Sequence, residues 1–230
     1  MKRRIYIGFT VIMLLLLLIG CVRRVEPPTV PEKPDGEIKV PAEALLEMLP
    51  TETGDQYFYN GFAEYGHIQQ IDRIDEEEGK RIYHVVGMVD DPSGGEATGD
   101  FTLEMQYVVD GEKITEKILQ GQKLPHKIPE LEVLRLPLEE GNQWEQKMLI
   151  NGTEETLKAE IESVDIDPQD KRDTYTVVYT VPMAGMPNDT YKEIRTYKKG
   201  VGLYHFESTL GKEYDFMFNY TLGLIEKKQQ

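Results

Sequence analysis

Cysteine is almost absent from the 230 residues, because Cys21 is the chain's one thiol. A single thiol excludes an intramolecular disulfide, and it excludes a zinc site built from several cysteines. The four histidines, His67, His84, His126 and His205, show none of the i, i+2 or i, i+4 spacings that are typical of metal ligands. The sequence therefore predicts no metal site, and we expect no cofactor.

Sequence motifs that carry catalysis are also missing. The chain has no glycine-rich phosphate loop or dinucleotide fingerprint, and Ser93 lies in Pro-Ser-Gly-Gly, which lacks the Gly-x-Ser-x-Gly elbow of hydrolases. The stretch that starts at Asp165 begins like a calcium loop, but Asp170 stands where that loop needs glycine. We therefore expect no enzymatic activity, with a hydrolase that uses an unrecognised carboxylate pair as an open alternative.

Basic residues are too few to balance the acidic ones. The chain has 26 Lys and Arg against 41 Asp and Glu, a formal net charge of −15. Residues 1–20 hold three of the basic and none of the acidic side chains, so the remainder carries −18. A surface of this sign repels phosphate backbones, which excludes nucleic acid as an expected partner.

The N-terminal region has the pattern of a secretory signal. Lys2, Arg3 and Arg4 precede an apolar run that ends at Gly20, shorter than the about 20 apolar residues that a spanning helix needs. The sequence Leu18-Ile-Gly-Cys21 resembles the bacterial lipobox. That resemblance implies removal of residues 1–20 and a diacylglyceryl anchor on Cys21, with acyl chains such as palmitate. Two chains anchor a protein stably, which predicts the extracytoplasmic face of the cell membrane; a short uncleaved anchor stays an alternative.

Residues 21–40 differ in composition from the rest of the chain. Four prolines (Pro27, Pro28, Pro31 and Pro34) stand among charged residues, which is typical of a semi-rigid, lipid-anchored linker. The segment from Pro41 has good helix formers until Pro50, which predicts one short helix over about 42–49. We expect residues 41–230 to form a single domain.

Alternating apolar residues predict β-strands over most of that domain. Asp110-Gly111 and Asn151-Gly152 each separate two alternating runs, the signal of a hairpin with a type I′ turn. The ten predicted strands are 61–74, 81–89, 101–109, 113–119, 144–150, 153–164, 174–181, 191–198, 203–208 and 213–222. With few helix signals, they predict an all-β fold: one antiparallel sheet-rich domain, as a curved sheet, a sandwich or a half-barrel.

Aromatic residues recur along these strands and give the candidate ligand site. Tyrosine fits a half-buried pleated surface and often simply packs there, but it also lines concave sites for sugars and amphipathic molecules. The candidate lining residues are Tyr57, Tyr59, Tyr65, Trp144, Tyr179, Tyr204 and Tyr214. The sequence leaves both alternatives open.

Three longer segments resemble a known group of proteins. They are the aromatic segment 57–67, the segment 136–144 with a Pro-Leu-x-x-Gly-x-x-Trp pattern, and the segment 197–203 that ends in Gly-Val-Gly-Leu. In order and spacing they resemble uncharacterised lipoproteins of Gram-positive, spore-forming bacteria related to clostridia and bacilli. The resemblance implies fold and location, and it brings no catalytic residues.

These observations predict a membrane-anchored, extracytoplasmic lipoprotein. Because no catalytic motif is present, the favoured role is a non-enzymatic interaction or envelope module that contacts another envelope protein. The alternative is a carrier for an amphipathic or saccharide ligand, bound on a curved, tyrosine-rich sheet.

Overall fold

Antiparallel strands build the fold in the computed structural model, which describes residues 41–91, 93 and 95–228. The predicted signal peptide, the linker and Cys21 lie outside the described residues. Over the part of the chain that is described, no helix combines the length and the apolar character that a membrane span requires.

The described elements comprise one α-helix, twelve strands and two short 3-10 turns. The helix is α1 (Glu43–Leu46), and the 3-10 turns are Phe62–Glu64 and Pro187–Asp189. The strands are β1 (Gln56–Gly61), β2 (Gly66–Glu77), β3 (Lys80–Val89), β4 (Thr102–Asp110), β5 (Lys113–Gln120), β6 (Glu130–Arg135), β7 (Gln143–Ile150), β8 (Thr153–Ile166), β9 (Asp173–Pro182), β10 (Thr190–Lys198), β11 (Gly202–Thr209) and β12 (Met217–Glu226).

All twelve strands belong to one sheet, in which consecutive strands pair with one exception. β1 also pairs with β12, for example Gly61 with Tyr220, so the first and last strands are neighbours inside the sheet. The two sheet edges are β6 and β7, which are consecutive strands of the chain. The sheet is therefore nearly closed and barrel-like, and the prediction of one antiparallel all-β domain is confirmed.

Alternation along the strands separates an interior from an outer surface. On β4, Leu103, Met105, Tyr107 and Val109 are buried, while their neighbours face outward or are half-buried. Because successive side chains of a strand point to opposite faces, one face of every strand contributes to a shared core. The buried side chains of the core lie in that interior.

The two predicted hairpins are present, with one difference in turn type. Asn151 and Gly152 both have positive φ, 51° and 83°, as a type I′ turn requires. The other turn comprises Gly111 and Glu112, and of these two only Gly111 has positive φ, at 58°. Positive φ at the first central residue fits a type II′ turn, so the type I′ prediction at Asp110-Gly111 was wrong.

Two strands were missing from the sequence prediction. β1 lies before the predicted strand 61–74, which the structure interrupts at the turn where Ala63 and Glu64 have positive φ. β6 is short and carries charged residues at Glu130, Glu132 and Arg135, so its buried apolar residues did not stand out as an alternating run. The last strand begins at Met217 rather than at residue 213.

Helix α1 closes one end of the sheet. It is shorter than the predicted segment 42–49, but Leu45, Met48 and Leu49 are 0–3% exposed and belong to the core. The N–H groups of Gly200, in the β10–β11 turn, and of Gly202, the first residue of β11, donate to the carbonyls of Glu47 and Met48 at 2.7 and 2.9 Å. The Gly-Val-Gly segment therefore docks the helix, as well as reversing the chain with positive φ at both glycines.

Side chains rather than a backbone ladder join β6 to β7. The Gln146 carboxamide accepts from the Glu132 N–H at 2.8 Å and donates to the Glu130 carbonyl at 3.0 Å. The Trp144 indole N–H donates to the Glu132 carbonyl at 3.2 Å. Asn142 donates to the Arg135 carbonyl at 2.8 Å. Because Asn142, Trp144 and Gln146 alternate along the chain, they share one face, and together they satisfy the backbone of the β6 edge.

Replacing Gln146 with methionine tests this side-chain seam. Gln146→Met keeps the shape of the side chain but removes both hydrogen bonds to β6, so we expect a loss of about 1–3 kcal/mol in the free energy of unfolding. Chemical denaturation of the variant and the wild type measures it. Gln143→Met is the matched control, since Gln143 bonds an exposed Glu160 carboxylate and should change stability by less than about 0.5 kcal/mol. Equal losses in the two variants would contradict the seam.

Candidate functional site

The predicted ligand-lining residues occupy three kinds of environment. Tyr57, Tyr59, Trp144 and Tyr179 are buried, at 4%, 2%, 4% and 0% exposure; Tyr65 and Tyr204 are half-buried, and Tyr214 is exposed. The structure therefore does not bring the seven side chains to one surface. Their role in binding a ligand stays a prediction.

The buried members of this set pack and bond within the protein. The Tyr59 hydroxyl donates to the Leu203 carbonyl at 2.8 Å, and the Tyr179 hydroxyl donates to the Val133 carbonyl of β6. Burial raises the pKa of Tyr57 to about 12. The cavity beside Tyr57 measures about 20 Å³, which is room for about one water molecule. All three tyrosines belong to the core, and the hydroxyls of Tyr59 and Tyr179 have hydrogen-bond partners there.

A buried ion network crosses the middle of the sheet interior. Arg195 on β10 lies between Glu116 on β5 and Glu193 on its own strand, and the three side chains are 0–1% exposed. Its Nη1 is 3.0 Å from Glu116 Oε2, and its Nε donates to Glu193 Oε1. The Tyr191 hydroxyl donates to Glu193 Oε2 at 2.6 Å. Charges so far from water are tolerated only when they are paired in this way.

Aromatic rings enclose this network. The guanidinium of Arg195 lies 5.8 Å from the centroid of the Tyr179 ring and 5.6 Å from that of Phe206. His126, whose side chain is 2% exposed, stacks on Phe206 at 4.5 Å, and its Nδ1 is 3.4 Å from Glu116 Oε1. Its Nε2 lies 2.6 Å from the Tyr220 hydroxyl. The network therefore extends from strand β5 through the β5–β6 loop to β12.

Glu116 and Arg195 stay ionised although burial favours their neutral forms. Burial by itself would raise the pKa of Glu116, but the charge of Arg195 and the contact with His126 outweigh it and bring the pKa down to about 2. Burial would likewise lower the pKa of Arg195, and the carboxylates of Glu116 and Glu193 raise it instead. Glu116 and Arg195 are thus ionised at neutral pH and stabilise each other.

Sequence reasoning missed the whole network. The signal was present on β10, where Tyr191, Glu193, Arg195 and Tyr197 occupy one face at alternate positions. If the tyrosines face the interior, the two charged residues between them must do so as well. The Glu116 partner lies almost 80 residues away on β5, and no local pattern identifies it. Among the residues that the structure describes, no three His, Cys, Asp or Glu side chains are placed to hold a metal ion.

Exposed aromatic rings cluster at the end of the sheet opposite α1. We define the aromatic patch as Phe62, Tyr214 and Phe216, which are 47%, 45% and 42% exposed. The ring centroids of Phe62 and Phe216 are 5.0 Å apart, and those of Tyr214 and Phe216 are 5.6 Å apart. Four aromatic residues stand at every second position here: Tyr214, Phe216, and then Phe218 and Tyr220 of β12. The exposed rings therefore continue a row of aromatic residues that begins in the core.

A groove of about 220 Å³ adjoins the patch. Its lining residues are Pro187, Thr209, Leu210, Gly211, Tyr214, Asp215, Phe216 and Met217. They come from the 3-10 turn before β10 and from the loop between β11 and β12, which meet at this end because consecutive turns of a meander alternate between its two ends. Contiguous exposed apolar surface on a soluble domain is typical of an interaction site.

A comparison with solved structures finds a similar fold. A candidate exported protein with a YmcC-like fold from Bacteroides fragilis superposes with a TM-score of 0.50 at 12% identity, covering 78% of this chain and 98% of that one. A candidate lipoprotein from Parabacteroides distasonis covers the same shares, with a TM-score of 0.46 at 10% identity. No family model matches the sequence, and a search of curated proteins gives no match.

At 12% identity the Bacteroides fragilis structure shows a shared fold and nothing further. The match to a Bacteroides fragilis protein does not support the Gram-positive, spore-forming part of the resemblance. The resemblance to lipoproteins of spore-forming bacteria stays a prediction.

The buried imidazole of His67 gives the interior a measurable response to pH. His67 is 2% exposed, stacks on Tyr59 at 4.5 Å, and lies 5.0 Å from the Tyr220 ring. Burial, together with the nearby His126, lowers the pKa of His67 from 6.5 to about 3. The folded protein therefore keeps His67 neutral over a range in which the unfolded chain takes up a proton.

We expect the free energy of unfolding to fall as the pH is lowered from about 6.5. Below pH 6.5 the unfolded chain binds a proton at His67 and the folded chain does not, so stability declines by up to about 1.4 kcal/mol per pH unit until about pH 3. The window from pH 6.5 to 4.5 separates this effect from that of Glu116, whose lowered pKa adds its own loss only below about 4.5. Urea denaturation of the wild type and His67→Phe across that window makes the measurement.

The phenylalanine variant should lose this component of the slope. Tyr59→Phe is the control, since it removes a hydroxyl from the neighbouring ring but keeps the histidine; it should be less stable by a constant amount and keep the slope. A His67→Phe chain with the slope of the wild type would contradict the assignment.

Proposed function

We propose that this chain is an extracytoplasmic lipoprotein, anchored by a diacylglyceryl group on Cys21, whose barrel-like sheet acts as a non-enzymatic interaction module. The observation that carries the interaction role is the exposed aromatic patch of Phe62, Tyr214 and Phe216 at the end of the sheet opposite α1. Aromatic residues of this kind are enriched in the centres of protein interfaces.

The membrane anchor rests on the sequence. A basic start, an apolar run and Leu18-Ile-Gly-Cys21 occur in the order that lipid attachment requires. Two acyl chains, at about 0.8 kcal/mol for each buried CH₂, hold a protein stably, so no spanning segment is needed. The similarity to a candidate exported protein is compatible with this location.

The interior supports an interaction role over chemistry at a hidden site. Glu116 and Glu193 are buried carboxylates that both pair with Arg195, and they are 0–1% exposed. A substrate would have to displace the guanidinium and the rings around it before reaching either one. The cavity beside Tyr57, at about 20 Å³, likewise falls far below the roughly 300 Å³ that small-molecule sites begin at. The two spaces above that size, of about 460 Å³ beside Trp144 and about 500 Å³ beside α1, are clefts open to solvent and not enclosed sites.

Photo-crosslinking of the full chain in intact cells tests both parts of the proposal. A benzophenone side chain replaces Tyr214 in cells that incorporate labelled palmitate. We expect irradiation to move the palmitate-labelled band to a higher mass, because the patch contacts a partner in the envelope. Cys21→Ser should abolish the label and the recovery of the chain with the membrane fraction.

Leu149 provides the matched position for the crosslinker. It is 74% exposed on the edge strand β7 but lies outside the aromatic patch, so a benzophenone there should give no adduct of that mass. Identical adducts from positions 214 and 149 would contradict the interaction surface. Palmitate incorporation that survives Cys21→Ser would contradict the anchor.

A further inference from the structure

Three acidic residues stand beside the members of the aromatic patch in the chain. Glu64 follows Phe62 in the β1–β2 turn, and Glu213 and Asp215 stand on either side of Tyr214. All three acidic residues are exposed. Within the described residues, no basic side chain lies within 4.0 Å of any of their carboxylate oxygens. The patch is therefore both apolar and negatively charged.

The loop that carries most of the patch has one basic residue, Lys212. Its backbone N–H donates to the Gly185 carbonyl at 3.1 Å, which fixes the loop against the β9–β10 connection. With Glu213, Asp215 and Glu64 around it, the formal charge of this end of the sheet stays negative. A partner of opposite charge is steered to such a surface, and one of like charge is rejected.

The volume of the groove limits the size of the group that it can hold. Its volume of about 220 Å³ is below the roughly 300–1,000 Å³ of sites that enclose a small molecule. A space of this size accepts one long side chain of a macromolecular partner. Its lining residues include Tyr214, Phe216 and Asp215. Aromatic rings attract a cation to their faces, and a carboxylate attracts it by charge.

We infer that the aromatic patch docks a basic protein segment, whose lysine or arginine side chain enters the groove between Tyr214, Phe216 and Asp215. This inference rests on the interaction role proposed above and adds the chemistry of the partner. The rings contact the cation and its aliphatic stem, and the carboxylates of Glu64 and Glu213 attract neighbouring basic residues. Arginine and tyrosine are both enriched in the energetic centres of protein interfaces.

Binding of defined peptides to the full chain, purified in a non-ionic detergent, tests the inference. The probes are two fluorescein-labelled 12-residue peptides, one alternating glycine with arginine and the other alternating glycine with glutamate. We expect fluorescence anisotropy to detect binding of the arginine peptide and no binding of the glutamate peptide. Affinity for the arginine peptide should fall as salt is raised, because exposed charges are screened.

Two triple variants leave the net charge unchanged, and they distinguish the contribution of the patch from that of the acidic surface as a whole. The patch variant combines Phe62→Ser, Tyr214→Ser and Phe216→Ser. The control combines Met88→Ser, Leu119→Ser and Leu149→Ser, which are 57%, 59% and 74% exposed elsewhere on the sheet. We expect at least a tenfold weaker affinity for the patch variant and a change of less than twofold for the control.

A second pair of variants examines the carboxylates. Glu213→Gln with Asp215→Asn should weaken the arginine peptide at least fivefold, whereas Glu145→Gln with Glu162→Gln, which removes the same charge from exposed strand positions, should weaken it less than twofold. Far-ultraviolet circular dichroism confirms that each variant is folded.

Three results would overturn the inference. They are equal binding of the two peptides, equal losses in the patch and control variants, and no binding of the arginine peptide by the wild type. None of these three results depends on whether the crosslinker at position 214 forms an adduct. An adduct there with no arginine-peptide binding would leave the interaction module standing and refute the basic partner.

Discussion

The charge of Arg195 is the interaction on which the interior of this protein depends. A guanidinium at 0% exposure is compensated by Glu116 from β5 and Glu193 from β10, and rings of Tyr179 and Phe206 lie against it. Burying ions costs several kcal/mol each, and pairing recovers that cost only with the partners in place. Strands distant in sequence must therefore be assembled around one point for the sheet to be stable.

Closure of the sheet depends on the groups at its ends and edges. Helix α1 fills the end at which Gly200 and Gly202 receive it, and Gln146 and Trp144 replace the missing ladder between β6 and β7. Exposed sheet edges invite pairing with other chains, and side chains bonded to the β6 backbone prevent it. At the far end, Phe216, the residue before β12, lies at the surface.

Local chemistry in the sequence predicts a large part of this fold. Asn151-Gly152 specifies its turn through positive φ, and the alternation from Leu103 to Val109 specifies a strand with one buried face. The remainder depends on contacts between distant residues. Pairing of β1 with β12 leaves no local signature, so the near closure of the sheet was not predictable.

The candidate site residues, like the fold, could be predicted from the sequence only in part. Tyr214 was a candidate from the sequence because tyrosine is distinctive. Its neighbours Phe62 and Phe216 reach the surface through a turn with positive φ at Ala63 and the loop after β11, which no local pattern predicts. Whether a charged residue such as Arg195 is buried depends on a partner that only the folded chain supplies.

The free energy of unfolding of Arg195→Met, compared with that of the triple variant Arg195→Met with Glu116→Leu and Glu193→Leu, tests the central claim most directly. The account predicts that the single variant loses about 3–5 kcal/mol, because two buried carboxylates are left without a cation, and that the triple variant regains a large part of that loss. A single variant as stable as the wild type, or a triple variant less stable than the single, would contradict it.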